Sequence, residues 1–308
     1  MRRMKIVYNA TLLAVSIWIM GCETVVDVDI PREPPKLVVN STLHPDDYFR
    51  VHLTQSQYIL KRDDYLIVPG ATVEVYEDGQ YLTTLPDSAN GHYISATYKP
   101  QLGKDYELRI SKAGFTDASA RVTLPKDTAR ILRVKLDTVE LSDFGYTSTY
   151  LRFSVAIDDD GAVENYYQVT VIKEAYSYQY DFNTTPPTKL DSTLYREKLQ
   201  LESRDPGLED YQSYGYGILF NDKLFNGREY EMRVLSQDYY NGEEGNYPPT
   251  YYVVIANTSE SYYLYELSAK LQYWVDGDPF AQPVIVYNNI VNGYGIFSAY
   301  NEALFTVR

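Results

Sequence analysis

The chain has few of the residues that disulfides, metal cages and nucleic-acid interfaces need. Its 308 residues include one cysteine and three histidines. A single cysteine excludes a disulfide within the chain, and so few His and Cys make a zinc cage built from them implausible. Basic residues are also scarce, with 28 Lys and Arg against 42 Asp and Glu. The formal net charge of -14 argues against a nucleic-acid partner, because phosphate backbones are bound by clustered Lys and Arg.

Catalytic motifs are lacking as well. The chain has no Gly-x-Ser-x-Gly and no His-Glu-x-x-His, and its histidines are scattered at 44, 52 and 92. Asp158-Asp159-Asp160-Gly161 has the carboxylates of a calcium loop but not its alternating ligands and closing Glu, so a solvated hairpin turn is favoured. We therefore nominate no catalytic residue and no metal ligand, and we expect no cofactor.

The start of the chain contains the features of an export signal. Residues 1–21 combine a basic start with an apolar run too short to span a bilayer, and the small residue Gly21 precedes the only cysteine, Cys22. Ile19-Met20-Gly21-Cys22 resembles the cleavage box of bacterial lipoproteins, which implies lipidation of Cys22 and attachment to a membrane through the lipid. The alternative is a buried Cys22 thiol after an uncut helix. Three prolines in residues 22–35 predict an extended tether.

The remainder of the chain is expected to be mainly β, with two β-sandwich-like domains at residues 36–125 and 126–308. Short apolar runs with period two recur between turn signals such as Asp78-Gly79 and Asn90-Gly91, which is typical of antiparallel sandwiches. The predicted strands of the second domain include Tyr166–Lys173, Tyr176–Phe182 and Leu194–Leu201. The last predicted strand is Tyr251–Ala256.

One segment near the C-terminus changes to a helical period. Tyr263, Leu267, Leu271 and Trp274 recur at spacings of four, four and three, which predicts an amphipathic helix at about residues 259–274. Thr258 or Ser259 would cap it. Further on, Asn292-Gly293-Tyr294-Gly295 predicts a tight turn or bulge, because glycines on both sides of a tyrosine permit unusual backbone angles.

Two resemblances extend these expectations. The stretch Pro69–Tyr76 with Gly91-His92-Tyr93 and Gly103–Leu108 resembles prealbumin-like or carboxypeptidase-regulatory-like sandwiches, which implies a binding or spacer module. Cys22–Asp29 and Tyr262–Tyr300 resemble the two ends of an uncharacterised lipoprotein family of Bacteroidetes-type bacteria, encoded beside TonB-dependent outer-membrane receptors. This resemblance implies an accessory lipoprotein of the outer membrane, facing the cell exterior, with such a receptor as partner. It supplies no catalytic residue.

Tyrosine is in large excess, with 33 residues of this type. Tyr176, Tyr178, Tyr180 and Phe182 alternate with polar residues, so a strand would place four aromatic rings on one face. These rings could fill a core, or they could form an exposed platform for a sugar, a peptide or the partner receptor. Tyr239 and Tyr240, in the neighbouring loops, are further candidates for contact with a ligand or partner.

Four triplets resemble the Asp-Ser/Thr-x acceptor that such bacteria use for O-glycosylation. The candidate acceptors are Ser88, Thr128, Thr138 and Ser192, and chance is the alternative explanation.

Together these features predict a non-catalytic outer-membrane lipoprotein that helps a TonB-dependent receptor capture or take up an extracellular substrate. The alternatives are a structural or assembly subunit of a cell-envelope complex and a surface hydrolase, whose acid and base groups the order of residues cannot show.

Overall fold

The computed structural model describes residues 33–58, 65–127, 129–143, 145–205, 207–208, 216–237, 248–278 and 280–307. The signal segment, Cys22, most of the tether, Thr128, Tyr239 and Tyr240 lie outside the described residues. The predictions made for them stay predictions.

The described residues form fifteen strands and one helix, which confirms a mainly β chain with a single helix near the C-terminus. The strands are β1 (Leu37–Leu43), β2 (Arg50–Gln55), β3 (Thr72–Glu77), β4 (Gln80–Leu85), β5 (His92–Ile94), β6 (Asp105–Ser111), β7 (Ala118–Thr123), β8 (Arg130–Asp143), β9 (Tyr146–Asp158), β10 (Tyr166–Asp181), β11 (Thr188–Lys198), β12 (Ile218–Asn221), β13 (Glu229–Ser236), β14 (Thr250–Thr258) and β15 (Tyr294–Val307). The helix, α1, covers Glu260–Val275.

The strands form three sheets. An eight-stranded sheet has the order β11-β10-β14-β15-β1-β2-β5, with β12 also paired to β10. A four-stranded sheet, β4-β3-β6-β7, contributes to a first hydrophobic core with β1, β2 and β5, and a three-stranded sheet, β13-β9-β8, contributes to a second core with β10, β12 and β14. Each smaller sheet thus shares a core with one part of the large sheet.

The strand β15 belongs to both parts of the large sheet. Its first residues pair in parallel with β1, from Val38 with Tyr294 to Leu43 with Ala299. Its last residues pair antiparallel with β14 and end with Val307 opposite Tyr251. Pro35–Arg308 accordingly form one compact unit, and the first core itself takes Phe297 and Ala299 from β15. The division into domains 36–125 and 126–308 stays a prediction.

The sequence analysis does not predict β15. The expected turn before it is present, with Asn292 at a φ of 59°, but Ile296 to Ala299 are then buried without interruption. Both faces of the strand are covered there, because Phe297 packs into the first core while Ser261 of α1 donates a hydrogen bond to the Phe297 carbonyl. A strand covered on both faces loses the period-two pattern by which strands are found.

The helix begins as predicted, with the Ser259 hydroxyl accepting a hydrogen bond from the Tyr262 amide at 3.2 Å. Its predicted apolar stripe is wrong at Trp274, whereas Leu267 and Leu271 are half-buried. Tyr263 is buried and its ring centroid lies 5.0 Å from that of Tyr166, whereas Trp274 is 60% exposed. The helix therefore packs on the sheet mainly through its N-terminal end. Within the described residues, no helix has the length and apolarity needed to cross a membrane.

Candidate functional site

The hairpin of β10 and β11 extends beyond its neighbours in the large sheet. The pairing of β10 with β14 ends at Glu174, whereas the pairing with β11 continues to Asp181. Within the described residues, this end of β10 is thus one strand of a two-stranded ribbon. The two predicted strands at 166–173 and 176–182 are in fact a single continuous strand.

Three alternate side chains of β10 and Phe182, the residue after the strand ends, form a row of four aromatic rings along this ribbon. We call Tyr176, Tyr178, Tyr180 and Phe182 the aromatic row. Successive ring centroids along it are 6.3, 6.5 and 6.2 Å apart. Tyr176 is 42% exposed, Tyr180 37% and Phe182 79%. Tyr178 is half-buried. Three of the four rings are therefore exposed, and they offer a surface that another molecule can contact.

Side chains of β11 border the aromatic row on the same face, because residues directly opposite in an antiparallel pair share a face. Ser192 lies opposite Tyr178 and Leu194 opposite Tyr176. The Lys189 ammonium lies 3.8 Å from the Tyr178 ring centroid, a cation–π contact. These neighbours are not predictable from the sequence, because the register of β10 on β11 includes a bulge after Gln179 that no local pattern reveals.

An ion pair holds the base of the ribbon. Arg196 donates from Nε to the Glu174 carboxylate, which also accepts a hydrogen bond from the Tyr252 hydroxyl at 3.1 Å. The Arg196 guanidinium, followed by the Tyr252 hydroxyl, lowers the pKa of the Glu174 carboxyl below its ordinary value. The ribbon is thereby tied to β14 at the point where the sheet ends.

The candidate O-glycosylation sites within the described residues are exposed but differ in setting. Ser88 lies in a turn before β5, whereas Thr138 and Ser192 lie inside the strands β8 and β11, which run further than the sequence predicts. Ser192 faces the same side as the aromatic row. A glycan on Ser192 would therefore cover part of that row.

A cleft of about 1900 Å³ is lined by residues from β6, β7, β10 and the first turn of α1. Nine of its lining residues are acidic and three are basic. Several acids already hold protein partners. Glu107, whose pKa is lowered chiefly by Arg109, also binds Arg121, and Asp158 pairs with Arg130 at 3.1 Å. The cleft thus disfavours anions and presents few uncommitted carboxylates.

The carboxylates after β9 have a structural role that the sequence analysis did not predict. Asp159, expected in a solvated turn, is 7% exposed and accepts hydrogen bonds from the Tyr167 hydroxyl and the Gly227 amide, both at 2.7 Å. Asp222 is 1% exposed and accepts from the Asn165 amide at 2.8 Å. These bonds attach the turn after β9 to the loop after β12. Within the described ranges, no three His, Cys, Asp or Glu side chains are grouped to hold a metal ion.

Burial of Asp222 makes stability depend on pH. Desolvation raises the pKa of its carboxyl, so the folded state keeps this proton to a higher pH than the unfolded chain does. The contribution of Asp222 to the free energy of unfolding should fall as pH rises from about 4, the unfolded pKa, towards 7. Urea unfolding at both pH values should show Asp222→Asn gaining stability relative to the wild-type protein as pH rises. A difference in the free energy of unfolding between the two proteins that stays constant, or that shifts in favour of the wild-type protein as pH rises, would contradict this prediction.

Comparison with known proteins adds one finding. The family model DUF4249, described as a domain of unknown function, matches residues 23–305. Among curated proteins, none matches the chain.

Proposed function

The chain belongs to the DUF4249 family, and from this premise we propose that it is a non-catalytic, lipid-anchored protein of the outer membrane, facing the cell exterior. In this proposal it assists a TonB-dependent receptor in capturing or taking up an extracellular substrate. The observation that carries the proposal is the exposed aromatic row on a ribbon that extends beyond the sheet.

Exposed aromatic rings favour binding. Aromatic side chains offer a large contact area at low conformational cost, and tyrosine adds a hydroxyl that can form hydrogen bonds at the edge of the contact. The row lies on two paired strands, and Arg196 and Glu174 hold its base. A ligand would therefore meet a surface that is already ordered, which lowers the entropic cost of binding.

The carboxylates give less support to a hydrolase. A general acid and base need oxygens that can reach a substrate. The most buried acids, Asp159 and Asp222, use their oxygens to hold Tyr167, Gly227 and Asn165. These two carboxylates stabilise the loops by hydrogen bonds, and this structural role is consistent with a binding protein.

The lipid anchor is tested by removing its attachment point. With Cys22→Ala we expect the protein to leave the outer-membrane fraction, because lipid chains at that residue would provide the attachment. Thr24→Ala, two residues away, serves as the control and should fractionate like the wild-type protein. Immunoblots of separated membrane and soluble fractions give the readout, and a Cys22→Ala protein that stays with the outer membrane would disprove the anchor.

The partnership is tested by affinity purification of the wild-type lipoprotein from native membranes. Recovery of a TonB-dependent receptor in stoichiometric amount supports the accessory role. A protein that is recovered alone and cleaves a polymer supports the surface hydrolase instead, and recovery in an envelope complex without a receptor supports the assembly subunit.

A further inference from the structure

The area of the aromatic row limits what can bind there. An aromatic side chain offers about 200 Å², so Tyr176, Tyr180 and Phe182 together expose roughly 300 Å² at their exposed fractions of 42%, 37% and 79%. A stable protein interface takes about 800 Å² from each partner. The row alone is therefore small for a protein partner, but each of its three exposed rings can stack against one sugar ring.

The charge around the row favours an electrically neutral ligand. The four aromatic side chains carry no charge, and the Arg196 guanidinium at the base is paired with Glu174. Lys189 places a positive charge over the Tyr178 ring, in a protein with a net charge of -14. A polyanion would be repelled by the protein as a whole, whereas the hydroxyls of a neutral sugar can accept a hydrogen bond from Lys189.

The angles between the rings indicate the form of the ligand. Neighbouring ring planes along the row are inclined by 31°, 50° and 46°. A flat crystalline surface could lie on all four rings only if they were coplanar. A single chain, which can turn about its linkages, can follow rings that turn along a twisted ribbon.

We propose that the aromatic row binds a single, neutral carbohydrate chain, whose sugar rings stack on successive aromatic rings. This inference rests on the proposed function and names the class of its substrate. The C–H groups of a sugar face meet the electron-rich ring faces, while Ser192 and Lys189 bind sugar hydroxyls at the edge of the stack. The row on β10 sets the direction of the chain along the ribbon.

Binding is measured by calorimetric titration of the full-length lipoprotein, in a detergent without a sugar headgroup. The probes are cellohexaose, maltohexaose, laminarihexaose and mannohexaose, which are neutral and differ in linkage or sugar. We expect at least one to bind. Tyr180→Ala and Phe182→Ala should each weaken that binding about tenfold, because each removes one stacking contact.

Two control variants separate stacking from other effects. Tyr180→Phe keeps the ring and should bind within about threefold of the wild-type protein, because only a hydroxyl is lost. Tyr146→Ala removes a tyrosine at the start of β9, outside the row, that is as exposed as Phe182. This variant should leave binding unchanged. Circular dichroism checks the fold of Phe182→Ala, which we expect to be unchanged because Phe182 is 79% exposed.

Three results would overturn the inference. They are the absence of binding to all four hexasaccharides, unchanged binding by both Tyr180→Ala and Phe182→Ala, and tighter binding of an acidic oligogalacturonate than of any neutral probe. Adsorption to crystalline cellulose that exceeds binding to the soluble chains would also overturn it. Receptor recovery from native membranes is measured separately, so the accessory role can stand even if the carbohydrate inference fails.

Discussion

Gly295→Ala should lower the free energy of unfolding by about 4 kcal/mol or more, the largest effect we expect from one added methyl group. A Cβ atom at this position would lie only 2.1 Å from the Val39 carbonyl oxygen and 2.9 Å from its carbon. These are backbone atoms of β1, so no side-chain rotation can relieve the contact. The two strands would have to separate at the point where β15 joins both parts of the large sheet.

The backbone angle at Gly295 adds strain to this contact. Its φ of 108° lies in the region that L-residues rarely adopt. Gly114→Ala separates the two causes, since Gly114 has a φ of 90° but no heavy atom within 4 Å of the new Cβ. We expect Gly114→Ala to cost about 1 to 2 kcal/mol. Urea unfolding followed by circular dichroism measures both variants, and equal midpoints would show that the close approach to Val39 does not matter.

Asp159→Ala should lower the free energy of unfolding by about 3 kcal/mol, because it leaves the Tyr167 hydroxyl and the Gly227 amide without their shared acceptor. Both donors lie in or beside the second core, where water cannot easily replace the carboxylate. Asp159→Asn should cost less, since its remaining oxygen can still accept from Tyr167.

Asp160→Ala is the matched control for this prediction. Asp160 is the next residue in the same turn, but it is exposed, and its carboxylate accepts a local hydrogen bond from the Ala162 amide at 3.0 Å. We expect a cost of about 0.5 kcal/mol. Thermal and urea unfolding should rank the two variants clearly, and an Asp160→Ala protein as unstable as Asp159→Ala would mean that turn geometry outweighs the buried network.

Local patterns sufficed for several elements. Ser259 precedes a helix because its hydroxyl can satisfy a free amide of the first turn, and the structure has this cap. The Asp78-Gly79 and Asn90-Gly91 pairs have the positive φ values that tight turns require. Each of these features depends on residues a few positions apart, so the chain carries the information locally.

Other elements depend on distant parts of the chain. Leu267, Leu271 and Trp274 have helical spacing, yet Trp274 is exposed, because burial requires a surface opposite the helix as well as a stripe on it. Tyr176 and Tyr180 alternate like residues of a core strand, yet their rings are exposed beyond Glu174, where the pairing with β14 ends. Alternation determines which residues share a face but not what that face meets.

The sequence by itself determined that this chain is mainly β, that a capped helix begins after Ser259, and that four aromatic residues share one face of a strand. Only the tertiary structure decided that β15 joins both parts of the large sheet, that Asp159 is a buried acceptor, and that the aromatic row is exposed. The physical reason is the range of the interactions. Backbone propensity and capping act between near neighbours, whereas sheet register, burial and desolvation depend on which distant strands meet.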